Sequence, residues 1–187
     1  MKPEYFTLRP AEVARFLRPS GLVVIPCKEQ PLLPPRDKYP TMYDARVASA
    51  LKLCPLGGPG TQWVGREPWG YFGGDEYLYQ RDIGAVGYKA THDITGLTPI
   101  PGGKWRPARS MPDWAARLRK TTTRVELRRV RTITEAECEL LPIAPHRATD
   151  HPRGVWYTAA MAYFTSRYPG AWDRDDYAWF VFYTDTH

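Results

Sequence analysis

Trp114-Ala115-Ala116-Arg117-Leu118-Arg119-Lys120-Thr121-Thr122-Thr123-Arg124-Val125-Glu126-Leu127-Arg128-Arg129-Val130-Arg131 is the longest strand candidate in the chain. Its threonine triplet and Val125 are residue types that favour a pleated backbone. The same stretch is strongly basic. Arg117, Arg119, Lys120, Arg124, Arg128, Arg129 and Arg131 sit within fifteen residues that contain one acid, Glu126. Alternation along a strand sends neighbouring side chains to opposite faces. It predicts that Arg117, Arg119, Arg129 and Arg131 share one side, next to a Trp-rich turn, and that Lys120, Arg124 and Arg128 share the other. A positive stripe attracts phosphate through released counterions, so nucleic acid is the first partner to consider. The plain alternative is a solvated basic face.

Both flanks of this stretch carry further elements. Downstream, Thr134 followed by Glu137 has the spacing of a capping box. Val155, Ala159, Ala162 and Tyr163 recur at helical spacing within 154–168, and the aromatic run Tyr177 to Tyr183 reads as a final strand covered on at least one face. Upstream, residues 9–17 open with Pro10 and predict a short helix with Val13, Phe16 and Leu17 on one face. Leu22-Val23-Val24-Ile25, bounded by Gly21 and Pro26, predicts a buried strand. Residues 26–41 hold Pro26, Pro31, Pro34, Pro35 and Pro40 and read as an irregular surface segment. Asp44 is the expected cap of a helix reaching Leu53. Cys54 to Gly60 is turn-rich and leads into a strand at Gln62-Trp63-Val64. A loop or hairpin is expected over 71–79, and a short strand at Gly87 to Ala90.

A chain of 187 residues suffices for one domain with a sizeable core, and one domain over 1–187 is the expectation. Seven Trp, twelve Tyr and six Phe exclude a disordered composition, while 19 Pro and 15 Gly exclude a helical bundle. Short helices mixed with several strands predict an α+β fold, a partly open β-barrel flanked by short helices, with Trp63, Val64, Val125, Leu127, Phe180 and Phe182 in its core. The net charge is +6 and the isoelectric point about 9.3. No apolar run is long enough for a secretory leader or a membrane span, which predicts a cytoplasmic protein. Cys27, Cys54 and Cys138 are odd in number and far apart, and read as buried thiols. They and His92, His146, His151 and His187 lack metal-site spacing, so neither a metal nor another cofactor is expected.

Cys54-Pro55-Leu56-Gly57-Gly58-Pro59-Gly60-Thr61-Gln62-Trp63-Val64-Gly65-Arg66-Glu67-Pro68-Trp69 resembles a segment of the ASCH-domain proteins encoded by phages and prophages. Lys104-Trp105-Arg106-Pro107, Met111-Pro112-Asp113-Trp114-Ala115-Ala116-Arg117, Ile133 to Glu137, and Tyr168 to Asp173 with Trp179 continue the resemblance in order and spacing. The segments also have a purely structural explanation. Their glycines and prolines set turns, and Trp63, Trp69, Trp105, Trp114, Trp172 and Trp179 can hold a small barrel together.

The resemblance implies a PUA-like barrel, a fold that touches RNA in a cleft beside the barrel. One branch of the family hydrolyses modified nucleosides with a G-x-K-x-x-T-x-R motif after the first helix. Here Pro19 to Pro26 stands in its place, without the Lys, Thr and Arg. The run Arg119 to Arg124 looks like that motif but lies on the long strand. Binding is therefore expected rather than catalysis. The expected partner is RNA or single-stranded DNA, met by Lys104, Arg106, Arg117, Arg119, Arg129 and Arg131. The alternative is a phage-encoded inhibitor that contacts a host defence or transcription nucleoprotein complex. An enzyme using Glu67 with Lys89 or His92 is a third reading.

Overall fold

The computed structural model describes residues 4–7, 13, 16–71, 86–89, 105–143 and 154–186. In chain order the elements are strands β1 (Glu4–Thr7) and β2 (Ser20–Pro26), helix α1 (Pro40–Leu51), strands β3 (Gln62–Arg66), β4 (Trp69–Tyr71), β5 (Val86–Tyr88) and β6 (Leu118–Arg129), helices α2 (Glu135–Leu140) and α3 (Gly154–Arg167), and strand β7 (Tyr177–Asp185). Five strands form one sheet in the order β1-β3-β6-β7-β2, antiparallel except for the parallel β1–β3 pair. This sheet curls into a half-barrel in an α+β architecture, as expected. β4 and β5 pair separately. No helix among the described residues is long and apolar enough to cross a membrane.

β6 is shorter than the 114–131 stretch, and the cause is local at both ends. Pro112, in an extended conformation, starts a 3-10 turn over Asp113–Ala115. Beyond Arg129 a second 3-10 turn, Val130–Thr132, forms as the Thr132 hydroxyl donates to the Arg129 carbonyl at 2.7 Å. Arg117 and Arg131 therefore lie outside the strand.

A bulge then breaks the alternation. Thr122 faces Tyr183 on β7 and Arg124 faces Phe182, leaving Thr123 without a partner. One extra residue inverts every later side chain relative to a period of two. Lys120 and Thr122 thus share a face with Val125, Leu127 and Arg129, while Arg119 and Thr121 share the opposite face with Arg124, Glu126 and Arg128. The expected grouping of Arg119 with Arg129 is corrected: the two point to opposite sides of the sheet.

β7 explains the two main cores. Tyr177, Trp179, Val181 and Tyr183 point to one side and Ala178, Phe180 and Phe182 to the other, as in a central strand covered on both faces. On the first side lie Val13, Phe16, Trp63, Leu118 and Leu127. Phe16 stacks on Tyr183 at 5.5 Å, and Trp63 meets both rings edge-on, at 6.0 and 5.4 Å. Burying each such side chain contributes roughly 1.5–3 kcal/mol, which fastens Phe16 to the sheet, while most of the helix expected over 9–17 lies outside the described residues. Leu17 is exposed and does not share the buried face of Val13 and Phe16. Of the six expected core residues, Trp63, Val64, Leu127 and Phe180 are buried, and Val125 and Phe182 are half-buried.

On the second side α3 packs over β2 and β7, with Phe164 stacked on Trp172 at 5.5 Å. The capping box forms as the sequence predicts, Glu137 N–H donating to the Thr134 hydroxyl at 3.2 Å and Thr134 N–H to the Glu137 carboxylate at 2.9 Å. Glu135 reaches across to α3, accepting from the N–H groups of Trp156 at 2.9 Å and Tyr157 at 2.8 Å. Gly154 (φ +89°) stands beside it, where a Cβ would come within 2.4 Å of the Glu135 carboxylate.

α1 begins at Pro40 and not at Asp44, because proline's fixed φ suits the first helical position. Asp44 lies inside the helix, 4.0 Å from Arg36. The proline-rich segment is correspondingly shorter. Pro26 ends β2 and Pro40 opens α1, so residues 27–39 are the irregular part. This segment is mostly exposed but anchored: the Cys27 N–H donates to the Tyr177 carbonyl at 2.8 Å, and Leu33 packs on the first core. Cys27, Cys54 and Cys138 are buried free thiols. The loop or hairpin expected over 71–79 falls, beyond Tyr71, outside the described residues.

Candidate nucleic-acid interface

Two consecutive 3-10 turns, Ala108–Ser110 after Pro107 and Asp113–Ala115 after Pro112, cover the outer end of β3 and β4. They rest on a small core of Val64, Trp69, Met111, Ala115 and Ala116. Trp69 and Arg106 exchange backbone hydrogen bonds at 3.2 and 2.8 Å, and the Trp69 indole N–H donates to Ser110 Oγ at 3.3 Å. The Arg106 guanidinium lies 5.3 Å from the centre of the Trp69 ring. Pairs of turns held from beneath in this way fix the side chains that project from them.

Two guanidiniums, those of Arg66 and Arg119, converge on Asp113, the residue before Trp114. Arg66 donates to the Asp113 carboxylate at 3.0 Å and to the Arg109 carbonyl at 3.1 Å, and Arg119 donates to the Asp113 carbonyl at 2.6 Å. Arg106 stands just before the first turn and Arg109 lies within it. Asp113 thus accepts from both guanidiniums, through its carboxylate from Arg66 and through its carbonyl from Arg119. Trp114, at the tip of the second turn, is 40% exposed. Of the six tryptophans expected to hold the barrel together, Trp63, Trp69, Trp172 and Trp179 are buried, Trp105 is half-buried, and Trp114 is instead largely outward. The signal for this was the Pro112-Asp113-Trp114 turn itself.

From Arg119 the basic face continues along β6. Arg124 stacks on Phe182 at 3.9 Å and Arg128 on Phe180 at 4.0 Å. Glu126 sits between them at 3.3 Å from each, though the Arg128 Nε contact is too poorly aligned for a hydrogen bond. Arg128 is further held by Glu137 at 2.7 Å. Burial raises the Glu137 carboxyl, but the Thr134 N–H and Arg128 outweigh it and bring the group below its ordinary value. Arg128 is thus largely neutralised, and the more exposed Arg124 is the outward cation on this part of the face.

The six residues expected to bind therefore separate. Arg119 belongs to the cluster, and Arg106 lies over Trp69 beneath the first turn. Lys104 lies outside the described residues. Arg117 is engaged elsewhere: its guanidinium makes two bonds to Glu67, 2.8 and 3.1 Å, and stacks 4.1 Å over Tyr88. Glu67 is 1% exposed, and burial pushes its carboxyl above the ordinary value while Arg117 pulls it back. Arg129 and Arg131 sit at the far end of β6, roughly 30 Å from Arg119 by strand rise. Arg129 donates to the Asp175 carbonyl at 2.9 Å and covers Tyr177, while Arg131 donates to the Trp172 and Asp173 carbonyls at 2.8 and 2.7 Å. Both act as fasteners of the loop before β7.

Lys120, in the motif-like run, is 1% exposed on the core side. Its Nζ donates to the Arg18 carbonyl at 2.8 Å and pairs with Asp185. The Thr122 hydroxyl donates to the Leu56 carbonyl at 3.1 Å. Both groups are engaged within the protein. His92 and the other three histidines lie outside the described residues, and among the described residues no three His, Cys, Asp or Glu side chains converge as a metal-binding group. No family model, no curated protein and no solved structure matches this chain.

Proposed function

We propose that the chain is a non-catalytic nucleic-acid-binding module, a phage-type ASCH or PUA-like barrel acting in the cytoplasm on RNA or single-stranded DNA. The observation that carries this reading is the exposed Trp114 next to Asp113, on which Arg66 and Arg119 converge, with Arg106 and Arg109 at the adjoining turn. An indole offers a face on which any base can stack, and the surrounding guanidiniums hold the backbone on either side. Arg124 extends the track along β6. A duplex keeps its bases inside the helix and cannot use Trp114 in the same way. The curled half-barrel sheet with few short helices is compatible with a partly open barrel.

Fluorescence anisotropy with labelled U15, dT15 and a 15-base-pair duplex tests it. Both single strands bind more tightly than the duplex, and Trp114→Ala weakens them by about 1–3 kcal/mol, the usual worth of one stacked base. Equal affinity for the duplex, or a Trp114→Ala variant that binds as well as the parent, removes the reading.

A further inference from the structure

The irregular segment 27–39 forms one wall of a cleft that the nucleic-acid cluster does not use. Between this segment, α1 and the β2–β7 end of the sheet lies a recess of about 690 Å³, with Ile25, Ala50, Leu53 and Trp179 in its lining. Beside it is a second recess of about 380 Å³, lined by Leu33, Pro34, Met42 and Tyr177. Pro31, Leu32 and Arg46 border both. Leu32 is 87% exposed and Leu53 73% exposed, large apolar side chains at the rims of apolar recesses. A solitary exposed leucine needs no explanation, but a contiguous patch of them does.

Two features state what would cover the patch. First, the N–H groups of Leu32 and Leu33 and the carbonyls of Pro31 to Pro34 hydrogen-bond to no described residue, Pro31 and Pro34 having no N–H of their own. Second, Arg46, at the join of the two recesses, makes no hydrogen bond or ion pair with any described residue. Lys28 and Arg129 add positive charge at the two ends, against the one carboxylate of Glu29. An apolar–cationic–apolar order is thus laid along the two recesses.

We propose that the two recesses are one docking groove for an extended peptide segment of a partner protein, with an acidic residue on Arg46 flanked by two apolar side chains, one in each recess. In an extended peptide, residues i, i+2 and i+4 face the same way and span about 13 Å. The expected recognition pattern is therefore apolar-x-acid-x-apolar. The apolar side chains in the recesses supply most of the affinity, and the spacing of the recesses about Arg46 supplies selectivity.

Selection of random dodecapeptides displayed on phage against the full chain tests this, followed by anisotropy with a labelled synthetic peptide from the enriched set. Enrichment of the stated pattern is expected. Arg46→Glu and, separately, Leu32→Asp weaken that peptide by about tenfold or more, and a peptide with Lys in place of its acid recovers affinity for Arg46→Glu. Both substitutions are at exposed positions, so folding is retained. Four results overturn the proposal: no enrichment over an unrelated protein; enriched peptides indifferent to both substitutions; displacement of the peptide by U15; or a dimer in sedimentation that Leu32→Asp dissolves, in which case a second copy covers the groove.

Discussion

Neutralising Arg119 and Arg124 together is the sharpest test of which face of the sheet binds. The bulge at Thr123 places these two on one face and Arg129 on the other. Each phosphate neutralised on a single strand makes the binding constant vary as about the −0.7 power of salt, a factor of about five per contact at 0.1 M. An Arg119→Gln, Arg124→Gln double variant should therefore bind U15 about 25-fold more weakly at that salt, and its log–log salt slope should be shallower by about 1.4. Gln keeps a donor near the Asp113 carbonyl that Arg119 holds, which protects the turn. The matched control, Arg129→Gln with Arg131→Gln, removes as much charge at the far end of β6 and should change affinity less than about twofold. Anisotropy from 50 to 300 mM salt, with circular dichroism to confirm the fold, gives both numbers. Equal slope changes in the two variants would mean that net charge and not this face governs binding; an unchanged slope in the first would refute the placement outright.

Three predictions concern the scaffold. Glu135→Ala removes a carboxylate that bonds two N–H groups at the start of α3, and should cost about 2 kcal/mol, or about 4–8 °C in melting temperature by calorimetry. Asp185→Ala leaves the buried Lys120 ammonium without its carboxylate, with the Arg18 carbonyl and the face of the Tyr183 ring as its remaining contacts, and should destabilise by about 3 kcal/mol in urea titration, whereas Lys120→Met, which leaves only the half-exposed Asp185 unpaired, should cost clearly less; the reverse order would count against a buried ion pair. Glu137 has its carboxyl below the ordinary 4.5, so the stability it contributes is complete above that value and is lost as pH falls through its folded pKa; Glu137→Gln should flatten the acid limb of a stability–pH curve below about pH 4.5 and leave its slope near neutrality unchanged.

Elements whose cause lies within a few residues were legible in the chain itself. The β-branched run Leu22 to Ile25, the aromatic alternation of Tyr177 to Tyr183 and the Thr134/Glu137 capping box each carry their own structural reason, and the structure has all three. The strand within 114–131 was legible too, but not its limits, because the 3-10 turns at its ends form against Pro112 and against the loop before β7. Charge content could be counted in the sequence; its direction could not. Arg117 is drawn inward by Glu67, fifty residues earlier in the chain, and Lys120 by Asp185, sixty-five residues later. The extra residue at Thr123 exists only relative to β7, since a bulge is a mismatch between two strands and neither strand alone contains it. Side-chain period and cap chemistry are local properties that a sequence states directly. Which arginines of a basic strand meet solvent depends on register and on distant carboxylates, and that is decided only when the sheet closes.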